Sequence, residues 1–213
     1  MLQAIDQGTV TIMPMTAADT IDSETSDPVY GYKPSLQGAP FEFRLAADAL
    51  EWRRGRQAGR APYGAIRRIR LSFRPVTMQN YRFLAEIWPV SGSKLQIAST
   101  SWRSMMEQER LDAPYRAFIT ELSRRVGAAG GAALLQIGSP PLLYWPGLVL
   151  FAAASLAIAA LAVRALQQQA WSGAAFVAAF LALFLWQAGG FFRRNRPRLY
   201  RADAVPADIM PRA

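Results

Sequence analysis

The chain has 213 residues and a formal net charge of +9, with 24 Lys and Arg against 15 Asp and Glu. It holds no cysteine and no histidine, which excludes disulfides, thiolate chemistry and the commonest general base and metal ligand. The charge is uneven: residues 1–40 carry five acids against Lys33, whereas residues 41–126 carry sixteen basic and eight acidic side chains.

Residues 1–40 predict a disordered acidic segment. They are polar, interrupted by Pro14, Pro28, Pro34 and Pro40, and show little apolar periodicity. The start has neither a basic n-region nor an apolar h-region, so no signal peptide is expected there.

From Phe41 the pattern turns to alternation. Phe41, Phe43 and Leu45 alternate with Glu42 and Arg44. After the small turn Ala46-Ala47-Asp48, Leu50 and Trp52 alternate with Glu51 and Arg53, a hairpin signal. Arg54 to Gly64 reads as a Gly- and Arg-rich loop. Three further period-two segments follow, at Ala65–Phe73, Tyr81–Ile87 and Leu95–Ile97. Successive alternation of this kind predicts a half-buried antiparallel sheet. Leu111, Tyr115, Phe118, Ile119, Leu122 and Val126 then fall on one stripe of a helix. Asp112 is placed to cap its start, and Arg124 and Arg125 favour its negative C-terminal end. Gly127 to Pro141 reads as a linker of small residues and prolines.

Two uncharged apolar runs follow, about Leu142–Val163 and Trp171–Phe192, with only Arg164 to Ala170 between them. At 1.5 Å per residue each reaches about 33 Å, enough for a hydrocarbon core of about 30 Å. Tyr144, Trp145, Trp171 and Trp186 lie near their ends, as interfacial aromatics do. A transmembrane hairpin is therefore expected, rather than a buried core hairpin. Ala153 and Ala157, Ala175 and Ala179, and Ala178 and Ala182 have the spacing that lets helices approach closely in lipid, although Ala is abundant throughout. Gln187 is expected to hydrogen-bond across the hairpin. The turn carries one arginine; the flank Arg193 to Arg201 carries five. The positive-inside rule then places both termini in the cytoplasm of a bacterial cell, with the hairpin in its inner membrane and residues 193–213 as a basic cytoplasmic tail.

Strands closed by one amphipathic helix and joined to a transmembrane hairpin resemble the bacterial pleckstrin-homology-like membrane proteins. The resemblance rests on Phe41–Leu45, Ala49–Arg53, Ala65–Ile69, Lys94–Ser99 and the helix Tyr115–Val126, and covers residues 41–126. It implies an α+β membrane protein: an antiparallel sheet or partial barrel capped by the helix, then the two-helix hairpin. It also implies a binding module without catalytic activity.

Binding is expected on the basic run Arg53, Arg54, Arg56, Arg60, Arg67, Arg68, Arg70 and Arg74, which has no acid within it. Beside an anionic leaflet each arginine gains about 1 kcal/mol; the alternative is a solvated face without a specific ligand. The expected partners are membrane lipids and a protein partner or a second copy of the chain. Nucleic acid is not expected, since no recognised motif accompanies the charge. A second reading makes the chain an accessory subunit of a larger membrane complex, packed through its hairpin. No enzyme and no cofactor is expected. Glu107 and Glu109 read as a solvated pair, the Gly55–Gly64 loop lacks the Gly-Lys-Ser/Thr of a phosphate-binding loop, and Ser99, Ser101 and Ser104 form no Ser-x-x-Lys motif.

Overall fold

The alternating run from Phe41 supplies the middle two strands of a four-stranded antiparallel meander: β1 (Val29–Tyr32), β2 (Phe41–Leu45), β3 (Ala49–Arg54) and β4 (Gln57–Pro62), in that spatial order. A computed structural model of the chain describes residues 27–75, 81–104 and 107–211. Register sets the faces. Leu45 lies opposite Leu50 and Phe43 opposite Trp52, which gathers the large apolar side chains on one side. Between β3 and β4 the chain reverses in the two residues Gly55 and Arg56. Gly55 has φ +59, the positive angle that favours glycine at the first central position of a tight hairpin. The expected loop from Arg54 to Gly64 is thus largely strand. Its residues lack apolar alternation because β4 is the outer strand of the meander, mostly exposed along its length.

The second sheet contains β5 (Ile66–Pro75), β6 (Tyr81–Pro89) and β7 (Leu95–Ala98), with β8 (Thr100–Trp102) and β9 (Gln108–Arg110) forming a separate small hairpin. Helix α1 (Asp112–Ala128) follows. It begins at Asp112 without a side-chain cap, so the expected capping role is not filled. The chain then returns to the sheet as β10 (Leu134–Ile137) and later as β11 (Arg198–Leu199), giving the order β11-β10-β5-β6-β7. β10 runs parallel to β5, so the sheet is mixed rather than wholly antiparallel. The stripe of α1 buries Tyr115, Phe118, Ile119, Leu122 and Val126. They share one core with Phe43, Leu45 and Leu50 of the first sheet and Ile69, Leu71, Ile87 and Ile97 of the second.

Two tyrosines of β1 join the sheets. Tyr30 and Tyr32 donate their hydroxyls to the Ala98 and Gln96 carbonyls of β7, each at 2.6 Å. These carbonyls face the free edge of the second sheet, so the phenols satisfy acceptors that no strand reaches. β1 therefore carries ordered core residues inside the stretch expected to be disordered; residues 1–26 of that stretch lie outside the described residues.

Helices α2 (Pro141–Gln167) and α3 (Trp171–Arg194) form the hairpin. Both are long and apolar enough to cross a membrane, with mean hydropathy 2.3 and 1.9, and their apolar windows are unburied by protein. They exceed the expected spans mainly at the end of α2, because one arginine at position 164 does not stop helical hydrogen bonding. The turn is only Gln168 to Ala170, with Gln169 at φ 56. Phe151 packs its ring on Phe184 at 5.2 Å and on Phe192 at 5.1 Å. Gln187 is exposed, turned away from the expected contact across the hairpin.

The hairpin is an insertion rather than an appendage. The chain leaves the domain at the end of β10 and re-enters as β11, its antiparallel neighbour. The stretch expected as a linker at 127–141 contains β10. The stretch expected as a tail at 193–213 contains β11 and the buried Tyr200, Ile209 and Met210. Neither was marked by composition, because both elements are short and owe their order to pairing with distant strands.

Candidate functional site

Cross-strand register breaks up the arginine run. On the outward face of the first sheet Arg53 pairs with Glu42 at 3.0 Å, and Arg60 reaches Asp48 and Glu51. Arg44 lies opposite Glu51 on the same face. The result is a ladder of alternating charge lining a shallow cleft of about 590 Å³. Arg54 points the other way and lies over the Phe41 ring at 5.0 Å. Arg56 is exposed in the turn. The acids that balance these arginines come from β2, β3 and the β2–β3 turn, so residues 53–74 read along the chain reveal none of them. A second cleft of about 660 Å³ opens between Tyr32, Lys33, Phe41, Arg53 and Ser101.

The arginines of β5 belong to the other sheet. Arg67 sits at a register shift and is exposed. Arg68 and Arg70 lie over the Trp88 ring at 5.5 and 5.0 Å, and Lys94 approaches the same ring at 5.6 Å. Glu86, opposite Arg70, is 5 % exposed and accepts from Lys94 at 2.8 Å. Partial burial lowers the Arg70 pKa from its ordinary value, with Glu86 opposing that shift. This cluster gathers three cations around one acid and one indole. Arg74 differs: its register partner is Arg82.

The eight arginines are therefore divided over two sheets and do not form one surface. Sequence reasoning missed Arg82, whose relation to Arg74 appears only once β5 and β6 are paired. It also missed Asn195, which is fully buried. Past Leu71, β10 no longer lies beside β5. There Asn195 Oδ1 accepts from the Phe73 amide at 3.0 Å, and its Nδ2 donates to the Phe73 carbonyl at 2.8 Å. One side-chain amide thus continues the strand ladder. Arg194 lies over the Phe73 ring at 4.7 Å. On the other arm the Ser139 amide donates to the Asn195 carbonyl at 3.0 Å. Gly138, at φ +90, leaves room for that carbonyl: a Cβ would come within 2.3 Å of it. Both ends of the hairpin are thereby fixed to β5.

Among the described residues no group of three or more His, Cys, Asp or Glu side chains converges to hold a metal ion. Comparisons with protein-family models, with curated proteins and with solved structures gave no match. Fold and site together define an α+β domain interrupted by a hairpin of two apolar helices.

Proposed function

We propose that the chain is a membrane-anchored binding module of the pleckstrin-homology-like kind. Its α+β domain lies on the cytoplasmic side of a bacterial inner membrane and offers basic surface to an anionic headgroup or a protein partner, without catalysing a reaction. The observation that carries this reading is the insertion of the apolar hairpin between neighbouring strands, with Asn195 tying it to β5. A domain joined at both ends of its anchor keeps one face toward the bilayer, as a module reading a membrane or a membrane-bound partner requires. The arginines at and just after the end of α3, Arg193, Arg194 and Arg196, fit the orientation, since cytoplasmic flanks concentrate positive charge.

The chain has no native thiol, so single cysteines report orientation directly. Gln168→Cys in the hairpin turn and Ser93→Cys in the exposed β6–β7 turn are to be treated with an impermeant maleimide on spheroplasts. Labelling of the Gln168→Cys variant alone is expected. Labelling of Ser93→Cys alone inverts the topology and removes the cytoplasmic leaflet from the proposal.

A further inference from the structure

The face of β5 and β6 that carries Trp88 ends, toward the hairpin, on an unusual pair. Arg74 lies directly opposite Arg82, and like charges in this position destabilise a strand pair. Among the described residues neither arginine lies within salt-bridge distance of a carboxylate, whereas Arg53, Arg60, Arg103, Arg110 and Arg198 all do. Two residues before Arg74, on the same face, stands Ser72, which is 6 % exposed. Its Oγ and the Nε of Arg82 are buried without a hydrogen-bond partner among the described residues. A buried hydroxyl and a buried guanidinium nitrogen left unpaired are unfavourable. An anion facing both, with Arg74 beside it, supplies the acceptors that the protein does not.

Depth in the membrane selects the anion. Phe73, between Ser72 and Arg74, is held by Asn195, the first residue after α3. The apolar run of α3 stops at Phe192, where Arg193 and Arg194 begin. With α3 in a bilayer, β5 meets it where hydrocarbon gives way to phosphate. We propose that Ser72, Arg74 and Arg82 form a site for the phosphate group of an anionic phospholipid. This inference rests on the membrane-anchored reading above and narrows its ligand. It also replaces most of the arginine run by one member of it, Arg74, together with Ser72 and Arg82.

The test uses the full chain in detergent micelles, followed by native mass spectrometry. Phosphatidylglycerol, phosphatidylcholine and glycerol 3-phosphate are titrated separately. Expected is a one-to-one phosphatidylglycerol adduct at roughly tenfold lower concentration than any phosphatidylcholine adduct, the selectivity of a charge-assisted contact worth about 1.4 kcal/mol. Arg74→Gln and Arg82→Gln should each raise the half-saturating concentration about tenfold, while Arg116→Gln, exposed on α1, leaves it unchanged. Thermal melting of every variant accompanies the titration; should Arg82→Gln lose its fold, the exposed Arg74 carries the comparison. Equal retention of the two lipids, or phosphatidylglycerol adducts indifferent to Arg74→Gln, overturns the site. Saturation by glycerol 3-phosphate at the lipid's own concentration overturns the lipid source in favour of a soluble phosphate ester. Cysteine labelling reads topology independently, so a failed orientation and a failed lipid site give different results.

Discussion

Where β10 leaves β5, the amide and carbonyl of Phe73 lose their strand neighbour, and the Asn195 side chain takes up both. Leaving a buried polar group unpaired costs about 1–3 kcal/mol, and Asn195→Ala leaves two. The variant is expected to unfold in denaturant with at least about 2 kcal/mol less stability; an unchanged midpoint would mean that water replaces the amide freely. A second residue-scale device lies at the far end of α1. Arg125 donates to the Leu45 and Ala46 carbonyls at 2.7 and 2.8 Å and to Glu121 at 2.7 Å. Hydrogen bonds from Arg124, and then from Arg125, hold the Glu121 carboxyl down at about 2, against its ordinary 4.5. A depressed carboxylate stabilises the fold above its unfolded pKa and loses that contribution as pH falls through the folded one. The difference in melting temperature between the native chain and Glu121→Gln should therefore be largest above pH 4.5 and close between pH 4.5 and 2. A difference that grows toward acid has the wrong sign. Neither device is marked in the sequence: Asn195 stands in an arginine run that reads as a topology signal, and Arg125 reads as a helix-end charge.

At the scale of elements, legibility followed period and length. The alternation of β2, β3, β5, β6 and β7 and the stripe of α1 were plain, because each buries a face against a large core. The two apolar helices were plain because lipid demands an uninterrupted run. β1, β10 and β11 were not. Each has four residues or fewer and, unlike the equally short β7, stands outside the succession of alternating segments, so it gains its order from a partner rather than from its own pattern. The return of the chain after the hairpin is the clearest case. Tyr200 meets Ser123 of α1 at 3.2 Å, oxygen to oxygen, and Ala202 lies against Gly127. A Cβ on Gly127 would stand 2.3 Å from the Ala202 Cβ. Helix propensity alone favours Gly127→Ala by about 1 kcal/mol. Because the returning segment occupies that space, the substitution should instead lower the melting temperature. A rise would place residues 200–202 away from α1.

The whole molecule has a different division from the one its composition suggests. Residues 41–126 hold most strands and the helix, yet β1, β10, Tyr200, Ile209 and Met210 complete the same core. The domain therefore spans both sides of the hairpin, and the apparent linker and tail are parts of it. The candidate surface changed for the same reason. A basic run along the chain became one charge-balanced face, a cationic cluster around Trp88 and an arginine pair with no acid beside it, since register decides which residues meet and linear order does not. The most direct measurement of this architecture removes the anchor. Replacing residues 140–194 by a short Gly-Ser turn joins Ser139 to Asn195, which already share a hydrogen bond of 3.0 Å. Thermal unfolding of that chain in aqueous buffer is compared with a fragment of residues 41–126. A soluble product with one cooperative transition is expected from the first, and no cooperative transition from the second. The opposite outcome, a folded 41–126 fragment and an unfolded or insoluble excised chain, would contradict a domain built from both sides of the membrane hairpin.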